Sequence, residues 1–382
     1  MKRTSLLPWL FWTCFVSTAW SQQPSIKGLN DWSEFHRTNM MRWNYYENVL
    51  NVKNVGNLGV MWSTSLTRPV QSSPAVMDGV VYIGGEDQSM YALNAATGAI
   101  LWSYPTGWNV FSSPAVVNGV VFIGSGGPDM DALDADTGVL LWSYTTGTTQ
   151  FSSAPAVSNG VVYFGSGPPD RNVYALSAGT GTKVWSYATQ GYVQSSPAVA
   201  NGVVYVGSSD ANLYALNAVT GAKLWSYETG GGVYSSPAVA NGIVYFGSYD
   251  NNVYALDAGT GAKKWVFQTG FFVTSSPAVA DGIVYVGSYD NNLYALDAST
   301  GAKLWSSSLD GYVLSSPAVA NGVVYVGTGY PSSNVYALNA RTGDMLWTYT
   351  TGLYVESSPS VVNGVVYIAS DDGNVYAFGL KK

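Results

Sequence analysis

Short apolar runs, each broken by the same polar turn, recur along most of the chain. The unit reads Ser-Ser-Pro, a hydrophobic pair, Asn-Gly or Asp-Gly, then a run such as Val-Val-Tyr-Val-Gly. Its prolines are Pro74, Pro114, Pro155, Pro197, Pro237, Pro277, Pro317 and Pro359, spaced 40 to 42 residues apart. A fixed period in that range is the mark of one supersecondary unit copied many times. In the copy at 233–270, the pattern predicts a strand over 233–239, an Asn241-Gly242 hairpin turn, and a buried strand over 243–247. A polar turn, a strand over 253–256, a Thr260-Gly261 turn and a strand over 263–268 follow. Asn-Gly suits a two-residue turn in which both central residues need positive φ. Four antiparallel strands per copy describe a propeller blade. The fold expected is therefore all-β, an eight-bladed β-propeller.

Seven copies also carry Ala-x-(Asp/Asn)-x-x-Thr-Gly-x-x-x-Trp, as in Ala255, Asp257, Thr260, Gly261 and Trp265, complete apart from Ser177 at the acidic position of the third. The repeated tryptophans are Trp62, Trp102, Trp142, Trp185, Trp225, Trp265, Trp305 and Trp347. Trp62 precedes the first Ser-Ser-Pro block, and the last block ends at Phe378 with no tryptophan. The last blade thus lacks the strand that the N-terminal side has spare. Residues 60–65 are predicted to complete the eighth blade and close an otherwise open sheet edge.

Composition narrows the class. The 382 residues are 47% hydrophobic and 10% charged, with a net charge of -7. An acidic chain without a basic stripe is a poor nucleic-acid binder. Residues 1–21 read as a signal peptide, with Lys2 and Arg3, a short apolar stretch, and small residues Ala19 and Ser21 before a cleavage site. The only cysteine, Cys14, falls inside it, in a Phe11-Trp12-Thr13-Cys14 context that lacks the small residues of a lipoprotein box. Export to the periplasm or outside, without a transmembrane segment after cleavage, is the expectation. Residues 22–57 read as a leader on the ring, and 58–382 as the propeller, acting as a monomer. His36, the only histidine, stands in the leader without evident partners, so a surface or hydrogen-bonded role is expected.

Copies compared with one another show where they differ. The Asn-Gly and Thr-Gly turns share one face and hardly vary. The second-to-third turns and blade connections share the other face and vary strongly. Candidate binding residues there are Trp108, Phe111, Tyr192, Gln194, Tyr234, Phe272, Tyr312, Tyr354 and Glu356. Divergence with aromatic residues at a channel mouth suits a binding surface. The repeated Asp210, Asp250 and Asp290 read as turn caps rather than metal ligands. The Ser-Ser pairs have no nearby histidine and read as structural.

The Ala-x-Asp-x-x-Thr-Gly-x-x-x-Trp unit resembles the tryptophan-docking motif of the PQQ-like β-propeller repeat family. That family includes quinoprotein dehydrogenases and non-catalytic relatives, among them a propeller subunit of the machinery that assembles outer-membrane β-barrels. The resemblance covers roughly 58–382 and implies that each tryptophan docks on a neighbouring blade. Three functions are open. The first is a non-catalytic scaffold for an envelope or extracellular protein partner, needing no cofactor. The second is a dehydrogenase using pyrroloquinoline quinone and Ca²⁺, for which Arg68 and Arg171 are the main basic candidates. The third is a glycan or small-ligand module.

Overall fold

The structure, a computed structural model, describes residues 31–37, 41–148 and 151–381. The signal-peptide reading at 1–21 and Asn39 of the leader lie outside the described residues. Eight antiparallel sheets follow one another around an axis. Blades 1 to 7 are each four consecutive strands, running over 75–105, 115–145, 156–188, 198–228, 238–268, 278–308 and 318–350. Blade 8 takes three strands from the C-terminal end, and its outer strand is Leu58–Ser65, paired with Asn374–Leu380 from Leu58↔Leu380 to Ser65↔Asn374. Chain ends thus zip the ring shut, two residues further than the 60–65 expected.

Both residues of every Asn-Gly or Asp-Gly turn have positive φ, for example Asn241 at 50° and Gly242 at 75°. The buried second strands, such as Ile243–Gly247, match the pattern. The innermost strand does not: it is only Ala238–Ala240 rather than 233–239. Residues 233–237 instead form no strand, and their serines bond to the neighbouring blades. The second serine of one blade accepts from the equivalent backbone N–H of the blade before it. Ser196 N–H donates to Ser236 Oγ at 2.9 Å, Ser236 to Ser276 at 3.0 Å, and Ser358 to Ser73 at 2.9 Å across the closure. The third copy breaks this belt. Counted back from Pro155, its second serine is Ala154, whose N–H donates to Ser196 but which offers no hydroxyl to Ser113. Phe151 therefore occupies the slot of Val110 and Val193, fully buried against Gly124.

Between blades, each tryptophan reaches its successor. Trp225 Nε1 donates to the Ala258 carbonyl at 3.1 Å and Trp265 Nε1 to Ala298 at 3.0 Å. The glycine of the next Thr-Gly turn lies under the indole: a Cβ at Gly261 would come within 2.7 Å of the Trp225 ring. At the closure, Trp347 donates instead to the Leu58 carbonyl at 3.1 Å and packs edge-on against Phe378.

The leader fills one end of the central channel. Its backbone and side chains take up the channel-facing groups of successive inner strands. Val76 and Trp32 exchange N–H···O bonds of 2.7 and 2.8 Å, and Val116 N–H donates to Ser33 at 2.8 Å. Val279 N–H donates to Met41 at 2.9 Å and Val319 N–H to Arg42 at 3.0 Å. Trp43–Asn44 runs parallel to the inner strand of blade 7.

Candidate functional site

The leader shuts the channel on the face of the Asn-Gly turns. Glu47 Oε2 accepts from Gly364 N–H of one such turn at 3.0 Å, and Asn321 of another donates to the Leu50 carbonyl at 2.9 Å. Arg42 anchors the plug, fully buried. Its guanidinium donates to the carbonyls of Pro317 and Pro359, both at 3.0 Å, and of Ser316 and Phe35, and it stacks on Trp32 and Phe35. Burial lowers the Arg42 pKa to about 9. His36 is neither on the surface nor, at Nε2, hydrogen-bonded among the described residues. Burial, and then the Arg42 charge, lower its pKa to about 3. Glu34 is also buried. Desolvation raises its pKa to about 8 against one opposing backbone N–H, from Val157. The leader was expected on the ring; the polar pattern of 31–44 gave no sign that it enters the channel.

The open mouth is therefore on the variable face. Seven ring contacts run without a break from the connection before blade 4 to that before blade 8. Tyr192 meets Tyr234 at 6.2 Å, Tyr234 meets Tyr249 at 4.4 Å, and Tyr249 stacks on Phe272 at 4.7 Å. Phe272 meets Tyr289 at 6.2 Å, Tyr289 meets Tyr312 at 5.1 Å, Tyr312 meets Tyr330 at 6.1 Å and Tyr330 meets Tyr354 at 5.9 Å. Tyr192, Tyr234, Phe272, Tyr312 and Tyr354 were expected from sequence and are brought together here. Tyr249, Tyr289 and Tyr330 were not named as candidates. Their signal was the variable x of Ser-x-Asp in blades 5 and 6, and the inserted turn of blade 7. Trp108 and Phe111 stand apart from this chain. Trp108 is one residue before the slot of Tyr192, Phe272, Tyr312 and Tyr354, which Asn109 takes in blade 2. It is 55% exposed and lies against Gly127. Gln194 is half-buried and lies in sequence between Tyr192 and Ser195-Ser196.

The rest of the mouth is acidic. Glu356 is half-buried; burial raises its pKa, and Asp371 and Glu86 raise it further. Asp371 is raised by burial despite a bond from Gln71. Glu86 is raised by burial and by Asp371, with Arg68 opposing. A groove of about 560 Å³ beside them is lined by Arg68, Glu86, Asp87 and Asn109. Arg171 sits apart, reaching the Gln190 carbonyl at 3.4 Å.

The repeated aspartates cap their own turns. Asp250 accepts from Asn252 N–H at 3.1 Å, from Gly230 N–H at 2.8 Å and from the Tyr254 hydroxyl at 2.6 Å. Among the described residues no set of three or more His, Cys, Asp or Glu is placed to hold a metal ion. The mouth does not fit pyrroloquinoline quinone either. A tricarboxylate needs cations where it binds, and here it would meet Glu356, Asp371 and Glu86, with Arg68 already facing Glu86.

Fold and repeat together define an eight-bladed propeller of the quinoprotein type. A family model described as outer membrane protein assembly factor BamB matches residues 57–169, 105–194, 169–271 and 272–382. The chain belongs to that family. Among solved structures it is similar to BamB from Moraxella catarrhalis, with a TM-score of 0.73 and 23% identity over 85% of this chain and 98% of that one. It is also similar to the quinohemoprotein alcohol dehydrogenase ADHIIG from Pseudomonas putida HK5, with a TM-score of 0.80 and 18% identity over 92% of this chain and 80% of that one. The computationally designed Ika8 protein gives a TM-score of 0.74 at 19% identity, over 82% of this chain and 97% of that one. These likenesses show the fold. No curated protein sequence matches. Among the described residues no helix is long and apolar enough to cross a membrane.

Proposed function

We propose that this protein is a non-catalytic scaffold of the cell envelope that docks a protein partner on the aromatic mouth of blades 4 to 8. The unbroken run of rings from Tyr192 to Tyr354 carries this reading. Tyrosine supplies large, rigid contact area with a polar tip, which suits protein interfaces. Tyr330 of the run is 58% exposed, and two residues next to the run in sequence, Phe271 and Leu353, are exposed at 43% and 48%. Membership of the BamB family supports an envelope setting and a protein partner. The leader occupies the other end of the channel, so a segment entering the channel does so from the aromatic side. A glycan-binding role is less well supported, because the ring faces are spent on one another: Phe271, Phe272 and Tyr249 stack at 4.2 and 4.7 Å.

Affinity capture from envelope extract, with the retained proteins identified by mass spectrometry and rebound in purified form, tests this. The purified partner should bind wild type and lose at least about tenfold in affinity with Tyr312→Ala/Tyr330→Ala, the scale of a truncated interface hot spot. An identified partner that binds this variant as well as wild type would place the docking surface elsewhere.

A further inference from the structure

We infer that the mouth takes a polypeptide segment in which a lysine or arginine stands beside an aromatic or aliphatic side chain, the apolar group on the Tyr289–Tyr312 rings and the cation at Glu356. This rests on the docking reading above and adds the chemistry of what docks.

Equivalent positions of the blades differ in chemistry around the mouth. In the second-to-third turn, the residue after the serine is Tyr249 in blade 5, Tyr289 in blade 6 and Asp371 in blade 8; in blade 1, where Gly85 replaces the serine, it is Glu86. These four are equivalent in space, since each donates its N–H to the preceding connection: Tyr249 to Gly232 at 3.0 Å, Tyr289 to Phe272 at 2.9 Å, Asp371 to Tyr354 at 2.9 Å and Glu86 to Pro69 at 3.1 Å. One ring of positions thus changes from aromatic to acidic as it passes blade 7. Glu356 stands inside that boundary, where blades 5 to 7 have Tyr234, Thr274 and Leu314.

The carboxylates differ in what compensates them. Arg68 faces Glu86, and Gln71 donates to Asp371, though Asp371 Oδ1 is buried without a partner among the described residues. Glu356 has no such help: every influence on it disfavours its charge. The charge also acts on Tyr289, and Tyr354, two residues before Glu356, ends the run of rings, so the acidic and aromatic sets share one mouth. An arriving ammonium or guanidinium relieves this mutual repulsion, and the rings beside it accept the apolar neighbour while also attracting the cation. A neutral sugar relieves nothing, and a bare metal ion finds no grouped ligand set here.

Random linear peptides displayed on phage, selected on the full protein, test the inference. The expected winners carry Lys or Arg next to Phe, Tyr, Trp or Leu. Binding of a winning synthetic peptide, measured by calorimetry, should fall about tenfold with Glu356→Gln, about tenfold when its own basic residue becomes Gln, and no further when both changes combine. Glu356→Gln removes an uncompensated half-buried charge, so its melting temperature should match or exceed wild type, which separates lost binding from lost folding. Winners that need Tyr312 but carry no basic residue, or that ignore Glu356→Gln, overturn the inference and leave the docking reading standing. Winners indifferent to both Tyr312→Ala and Glu356→Gln, or no winners at all, overturn both.

Discussion

The Tyr245 hydroxyl donates to the Ala298 carbonyl of the next blade at 3.0 Å, the same carbonyl that takes the Trp265 indole. The pairing recurs for Tyr82, Tyr163, Tyr205, Tyr285 and Tyr367. Tyr325 is the exception. It is fully buried, and its hydroxyl has no acceptor among the described residues, because blade 8 ends without the Thr-Gly turn that presents the carbonyl. A buried hydroxyl without a partner costs more than its absence. Tyr325→Phe is therefore expected to leave stability unchanged or to raise it, whereas Tyr245→Phe should cost about 1 kcal/mol by urea titration. Nature already places Phe122 at this position in blade 2. The sequence shows eight copies of one slot. It does not show that the acceptor belongs to the following blade, so the odd copy was invisible until the blades were assembled.

At the scale of the strand, the outer edges divide the disc. Two residues before the docking tryptophan, blades 3 to 6 carry Lys183, Lys223, Lys263 and Lys303. The corresponding residues of blades 7, 8, 1 and 2 are Met345, Val60, Ile100 and Leu140, exposed at 54%, 43%, 50% and 42%. Lysine on an edge strand discourages pairing with another chain. Replacing Lys223 and Lys263 with leucine should raise light scattering at high protein concentration, and Ile100→Lys with Leu140→Lys should lower it. Equal scattering from all three proteins would show that the edges do not self-associate. The element order, the turns and the closing strand were legible, because period and turn chemistry act locally. The inner strand was drawn too long, since apolar alternation does not reveal that Val233–Pro237 gives its backbone and serines to neighbouring blades. In the third copy Ser152-Ser153 imitates the serine pair, and the belt contact of Ala154 shows that the register lies one residue further on.

Over the whole molecule, the leader turns a channel into a cup, and it does so with buried ionisable groups. Glu34 has a pKa raised from 4.5 to about 8, so the folded state holds its proton more tightly than the unfolded chain. Its contribution is fully present below about pH 4.5 and is lost as pH rises to about 8. His36 acts in the opposite sense, with a pKa lowered from 6.5 to about 3. Its contribution is present above about pH 6.5 and is lost as pH falls to about 3. The two slopes oppose each other between about pH 4.5 and 6.5. Above that window Glu34 alone remains, so Glu34→Gln should flatten the decline in melting temperature between pH 6.5 and 8 relative to wild type. An unchanged slope would place the Glu34 carboxyl in contact with water. None of this was legible in a lone histidine and a leader of mixed polarity, since burial inside a ring depends on residues hundreds of positions away. The aromatic mouth was partly legible, because four of its rings fall in one connection slot and Tyr234 falls just before a serine pair. Its acidic counterpart was not, because only Glu356 lay in the slot compared.

The central claim is that one face, the aromatic mouth, receives the partner while the plugged face does not. A photo-reactive phenylalanine placed at Tyr330, and separately at Val52 of the leader, reads both faces in living cells. The account predicts a discrete protein adduct at position 330, abolished by Tyr312→Ala, and none at position 52. An adduct at position 52 with none at 330 would contradict it.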